Sequence, residues 1–357
     1  MTDQSSNRGA RPCVPCRLGA IGAVVLVLGG GFAWTAGWLT PQRLSTQTII
    51  DQFQRNAGLH EGYRRNHAKG VCVDGFFESN GAAASLSKAT VFAAGRTPVT
   101  GRFAIPGGNP QAPDGSVPIR SFALKFTQAD GQQWRTGMNS VPLFPVRTPE
   151  QFYQQLMAAQ PDPATGKPDP AKLKAFAAAN PQARPFQDWI KGHPPSSGYA
   201  NGTYYSVNAF YLIDAAGKRQ AVRWSMQPEL PYTPVGDGQK AQPSFLAAAL
   251  AQQLASGPLR WRLMLTLAAP GDPTDDATQA WPADRRQIDA GTLVIERASA
   301  QDDGDCRDIN FDPTILPAGI APSGDPLLAA RSAAYALSYQ RRTREVALDA
   351  HRQQAAQ

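Results

Sequence analysis

Acid–base chemistry in this chain has one natural centre, His67, set in the polar run Arg64-Arg65-Asn66-His67-Ala68-Lys69-Gly70. An imidazole titrating at about 6.5 suits proton transfer near neutral pH. Only His60, His67, His193 and His351 occur, with four cysteines, so a zinc array or a disulfide framework is excluded and histidine chemistry must rest on one ring. The second centre is Tyr335, four residues after Arg331 on a predicted helix, which puts both side chains on one face. A phenol of pKa about 10 becomes an anionic oxygen ligand only beside positive charge, and a guanidinium one turn away supplies it permanently. Taken alone, each feature also fits ordinary surface: a hydrogen-bonded structural histidine and an exposed Arg/Tyr pair.

Placed in chain order, several motifs change that reading. Arg64 to Gly70 fits the form R-x-x-H-A-K/R-G. Arg102-Phe103 and Arg120-Ser121-Phe122-Ala123-Leu124-Lys125-Phe126 follow. Trp134 then leads by five residues to Asn139, with Pro142, Phe144, Arg147 and Pro149 beyond. Phe311-Asp312-Pro313, Pro317-Ala318-Gly319-Ile320 and finally Arg331 to Tyr335 complete the series. This ordered set resembles the haem catalase superfamily, from about Phe53 to Arg344. The resemblance implies His67 as distal acid–base residue, Asn139 as the distal amide that orients peroxide and Tyr335 as axial ligand of a haem iron supported by Arg331. It also implies Arg64, Arg102 and Arg342 as partners of the haem propionates, for which the planar guanidinium is suited. Phe144 corresponds to an apolar wall of the distal pocket, a position that plain core packing would equally explain.

The departures from the catalase pattern lie next to the chemistry. Ala104 replaces the serine whose hydroxyl supports the distal histidine, and Asn66 replaces an apolar residue before it. The paired asparagines become Met138-Asn139-Ser140, and the run after the ligand becomes Tyr335-Ala336-Leu337-Ser338. With the short chain, this resembles the catalase-related peroxidases of bacteria. The expected function is therefore a haem-dependent peroxidase, with haem b as cofactor, reducing hydrogen peroxide or organic peroxides with a small organic electron donor. A true catalase and a non-enzymatic haem or lipid carrier at the membrane are the alternatives. A monomer or homodimer is expected, because the N-terminus is committed elsewhere.

That commitment is a stretch free of charge from Leu18 to Gln42, apolar from Leu18 to Leu39 and long enough to span a bilayer. Arg8, Arg11 and Arg17 precede it with only Asp3 against them, which keeps the N-terminus cytoplasmic. The expected layout is a cytoplasmic segment 1–17, an anchor and junction 18–42, and a haem domain 43–357 in the periplasm of a bacterial inner-membrane protein. A cleaved signal peptide is the competing reading, disfavoured by the lack of an A-x-A site. Cys13 and Cys16 lack a thioredoxin-like context, leaving palmitoylation or no role. Cys72 and Cys306 fall on the exported side, where two buried thiols are preferred to a disulfide, since sequence gives no Cα distance.

The rest of the 357 residues must position these groups. With 42% hydrophobic and 18% charged residues the chain buries a real core, and a mean hydropathy of -0.35 excludes a polytopic membrane protein. The net charge of +7 comes without any block of like charge, so no nucleic-acid partner is expected. Gly 32 and Pro 31 predict many turns. Short alternating segments at 99–105, 119–127, 132–139, 203–214, 220–227, 259–267 and 291–299 read as strands. Segments 46–58, 149–159, 170–179, 244–256 and 326–347 read as helices. The fold class is α+β: a closed antiparallel β-barrel of about eight strands with surrounding helices, catalase-like by the same resemblance, plus one N-terminal transmembrane helix.

Overall fold

The computed structural model describes residues 14–35 and 44–355, and the chain divides at Ser45/Thr46 into two units. In the first, α1 (Val14–Thr35) contains 19 residues, Arg17–Thr35, of mean hydropathy 1.8 with their side chains exposed. At about 1.5 Å per residue this is long and apolar enough to cross a membrane. Residues 36–43, with the end of the expected span and Trp38, lie outside the described residues. So do Arg8, Arg11, Cys13 and the side chain of Cys16.

The second unit runs α2 (Thr46–Ala57), β1 (Gly70–Ser79), β2 (Gly95–Ala104), β3 (Ser121–Thr127) and β4 (Gln133–Asn139). Three helices follow: α3 (Pro149–Ala158), α4 (Pro170–Ala179) and α5 (Arg184–Gly192). Then come β5 (Tyr204–Tyr205), β6 (Phe210–Ile213), β7 (Arg219–Pro228), α6 (Asp237–Lys240) and α7 (Phe245–Ala255). The last elements are β8 (Leu259–Leu267), β9 (Gln287–Ala300), β10 (Ile320–Pro322) and α8 (Pro326–Ala355). The helices start where the chain provides for it. Thr148 and Gln151 form a reciprocal capping box before α3, Asp169 caps α4, and both helices carry Pro at their first position.

Antiparallel pairing carries the sheet round from β1 through β2, β3, β4, β5, β7, β8 and β9 and back to β1, closing a barrel of eight strands. β6 and β10 extend it beside β7. Period-two alternation separates its faces. On β4, Trp134, Thr136 and Met138 are buried toward the interior, while Gly137 and Asn139 lie on the outer face. The interior is packed solid by aromatic rings: Phe103 stacks on Phe122 at 4.0 Å, Phe126 on Trp134 at 4.6 Å and Phe210 on Trp224 at 4.4 Å. The main cavity is lined from the outer face of the barrel and by residues of α2, α3 and α8. Asp51 of α2 pairs with Arg341 of α8 at 2.6 Å, and Phe53 meets Phe152 of α3 at 5.8 Å.

The structure departs from the sequence expectations in places that have physical causes. β1 is a full strand absent from the segments read as strands: Gly70, Asp74 and Gly75 interrupt its apolar pattern, and a register shift against β9 falls at Asp74/Gly75. The single strand expected at 203–214 is two, because Val207 adopts φ +64° and turns the buried Asn208 toward α8. α8 continues eight residues past the expected end at Ala347. Cys72 and Cys306, expected as buried thiols, form a disulfide with Cα atoms 5.3 Å apart. It fastens the segment after β9 onto β1.

Serine at both positions, or reduction of the bond, is expected to cost about 2–4 kcal/mol of stability. A lower urea midpoint would show it; an unchanged midpoint would mean that the segment is held without the bond.

Candidate active site

A cavity enclosing about 1380 Å³, including its part open to solvent, lies on the outer face of the barrel. All eight residues singled out from the sequence line it: Arg64, His67, Arg102, Asn139, Phe144, Arg331, Tyr335 and Arg342. They come from four separate stretches of chain, 64–67, 102, 139–144 and 331–342, which the closed barrel and the overlying helices bring together.

At one end three guanidinium groups converge. Arg102 and Arg342 are each 3% exposed. Arg64 donates to the carbonyls of Cys306, Arg307 and Ile309 at 2.9–3.1 Å, and Arg342 to that of Arg307 at 2.5 Å. Arg102 donates to the Ala68 carbonyl and the Gln301 amide oxygen, and its Nε has no partner. Among the described residues only Arg342 has a carboxylate in reach, Asp308 at 3.5 Å. Burial lowers Arg64 well below its usual range, with Arg102 and Arg342 adding repulsion, and burial brings Arg102 down to about 10. Such a cluster favours a dianionic ligand. Gly70 of the histidine motif makes it possible: a Cβ there would sit 2.5 Å from the Arg102 guanidinium carbon.

Tyr335 and Arg331 stand one helical turn apart on α8. A Cβ on Gly137 would approach Arg331 Nη2 to 3.1 Å and the Tyr335 hydroxyl to 3.4 Å, so this glycine lets both reach the sheet. Arg331 donates to the Gly137 carbonyl at 3.2 Å and to Asn208 Oδ1 at 2.6 Å. Asn208 Nδ2 in turn donates to Asp325 at 2.7 Å, and the other oxygen of Asp325 accepts the Leu327 N–H at the start of α8. Sequence reasoning missed this chain. Asp325 before Pro326 is a helix-start signal, but nothing in the sequence marks Asn208.

The opposite wall carries His67 and Asn139. His67 has φ +57°, a left-handed conformation, held because Asn66 Oδ1 accepts its N–H at 2.9 Å and the Gly107 N–H at 2.8 Å. Asn66 thus anchors the backbone of the histidine besides making the wall polar. His67 Nδ1 is buried without a partner, and Ala104 on the same cavity has no hydroxyl to offer. Burial, then the positive charges of Arg102, Arg331 and Arg64, push the imidazole down to about 3. Ser121, also missed, donates to Asn139 Oδ1 at 2.7 Å, leaving the amide Nδ2 as the free donor. Phe144 borders the cavity with its ring 5.7 Å from Phe152. Behind these groups, Arg65 pairs with Glu345 and its N–H meets Ser338 Oγ at 3.2 Å, tying the histidine segment to α8.

Residues 33–347 match the family model described as catalase. The chain belongs to the catalase family. Catalase-related peroxidases from Synechococcus elongatus and Mycolicibacterium paratuberculosis are 37% and 31% identical to it, over 88% and 86% of this chain and 91% and 96% of theirs. Rat catalase is 29% identical over 75% of this chain and 54% of its own. Catalase A from Saccharomyces cerevisiae shares the fold with a TM-score of 0.71 at 20% identity, covering 82% of this chain and 63% of that one. The chain thus spans under two thirds of the solved catalases it superimposes on, while covering nearly all of the catalase-related peroxidases.

The depressed titration of His67 gives a sign for stability. Above about 6.5 both folded and unfolded states hold a neutral ring. As pH falls below that, the unfolded state takes up a proton that the folded state refuses until about 3, so stability declines across this window. Urea melts should show His67→Gln losing less stability than the parent between pH 7 and pH 4; equal losses would mean that the ring titrates normally.

Proposed function

We propose that this protein is a haem-dependent peroxidase that reduces hydrogen peroxide or organic peroxides with a small organic electron donor. The observation that carries it is a phenol with a guanidinium one turn away, in one cavity with an imidazole and a free amide donor. The cavity residues fit haem. Arg64, Arg102 and Arg342 form a cationic end with one carboxylate in reach, Asp308 beside Arg342, which suits two propionates, and apolar Phe144, Val207, Leu327 and Phe311 line the walls. Tyr335 is the proposed iron ligand, with the Arg331 guanidinium one turn away on the same helix. Haem b is the proposed form.

Bound there, haem supplies an iron that exchanges electrons with peroxide. The protein does the rest. Neutral His67 accepts the proton of one peroxide oxygen and returns it to the other as the O–O bond parts. Asn139 Nδ2, fixed by Ser121, donates a hydrogen bond to the peroxide. The chain Arg331–Asn208–Asp325 holds the guanidinium beside Tyr335. His67, its Nδ1 without a partner among the described residues, is positioned through its backbone by Asn66. The open side of the cavity gives organic donors access. Names of relatives also include catalase, so disproportionation is the competing activity.

Tyr335→Phe should abolish haem retention, while His67→Ala should keep haem and lose at least about 10²-fold of turnover. Oxygen release from peroxide alone running faster than oxidation of a dye donor would overturn the peroxidase reading in favour of catalase. Haem retention without any peroxide turnover would point to a carrier, a role for which the paired His67 and Asn139 have no use.

For location, we propose a bacterial inner-membrane protein with residues 1–17 cytoplasmic, a single span within 18–42 and the haem domain, 43–357, in the periplasm as a monomer or homodimer. α1 supports this, and so does a disulfide, which persists in oxidising compartments. Protease added to spheroplasts should degrade the haem domain and leave a short membrane-bound fragment; a soluble periplasmic product would indicate a cleaved signal instead.

A further inference from the structure

Resting on the peroxidase reading, we propose a second donor-oxidation site on the protein surface, at Trp189 and His193, joined to the cavity through Tyr205. It takes phenols carried on molecules too large to enter.

The path begins at Asn139. In the β4–β5 pairing Asn139 stands directly opposite Tyr205, so the two side chains share one face with Cβ atoms about 4.5–5.5 Å apart. Tyr204 points into the barrel and is fully buried, which sends Tyr205 to the outer face where the cavity lies. The Tyr205 ring meets Trp189 of α5 edge-on, centroids 6.2 Å apart at 85°. Trp189 stacks flat on His193 at 3.6 Å and 7°, and the Trp189 carbonyl lies 2.9 Å from His193 Nδ1. His193 is exposed and Trp189 half-buried. Two ring contacts therefore run from Tyr205, the strand neighbour of the cavity residue Asn139, to solvent.

Phenol and indole are the side chains most easily oxidised by one electron, and both stand in this run. The other large aromatic cluster at the cavity, Phe122 with Phe103, Tyr199, Tyr204 and Trp261, is sealed inside the barrel. Nor is Trp189 an anchor of the core, since α5 has no buried residue. The flat ring pair at the surface offers a stacking face for an aromatic donor.

The balance is that of the proposed activity. Hydrogen peroxide takes two electrons and two protons to become two waters, its O–O bond breaking. Two phenol groups each give one electron and one proton and become phenoxyl radicals. Each electron enters at Trp189 and passes through Tyr205, and both side chains return to their starting state.

The test uses the haem-loaded full chain, free guaiacol and a dextran bearing phenol groups. Trp189→Phe and Tyr205→Phe should each lower oxidation of the phenol-dextran about tenfold, with free guaiacol oxidised as by the parent. Peptide mass spectrometry after peroxide without donor should find oxygen added to Trp189 in the parent and not in Tyr205→Phe. Unchanged dextran oxidation in both variants, or an unmodified Trp189 in the parent, would overturn the proposal while leaving the peroxidase reading intact. A parent that oxidises neither donor would remove that reading, and the surface site with it.

Discussion

Three guanidinium groups held together away from bulk water are the constraint around which this domain is built. Like charges at short range in a poorly solvated site repel, and here they are satisfied mainly by backbone carbonyls. Carbonyl dipoles reduce that repulsion without cancelling the charge. The segment supplying them, residues 306–309, is irregular and would drift if it were free. Its tether is the bond between Cys72 and Cys306, and the buried pair Arg65–Glu345 fixes the neighbouring segment to α8. The scaffold thus keeps one corner electropositive against the repulsion of its own charges.

A second principle runs through the opposite wall: each reactive side chain is aimed by another polar side chain. Ser121 sets the amide of Asn139, Asn66 sets the backbone of His67, and Asn208 with Asp325 sets Arg331. Ring Nδ1 of His67 is the exception, buried without a partner. Ala104 offers that nitrogen no hydroxyl, whereas Ser121 gives its own to the amide opposite.

Much of this was legible in the sequence because the candidate site residues are tied to local motifs: His67 to its polar run, Tyr335 to Arg331 by helical spacing, Asn139 to Trp134 along one strand. All of them line one cavity. Strands with clean alternation were legible too, β8 to the residue. What escaped depends on contacts across the fold. β1 is disguised by glycines that its neighbours require, and β5 and β6 are split by a left-handed Val207 that alternation cannot reveal. The disulfide joins positions 234 residues apart, and Asn208 acquires its role only when α8 arrives beside it.

Cys72 stands at the start of the first barrel strand and Cys306 just beyond the last of the ring, so their bond links the two ends of the barrel where β1 and β9 pair. It is in effect a latch on the closed ring, joining positions 234 residues apart. The cationic corner draws Arg64 and Arg102 from the first third of the chain and Arg342 from its final helix. Its parts are therefore far apart in sequence, and the corner is complete only where the closed barrel and α8 meet.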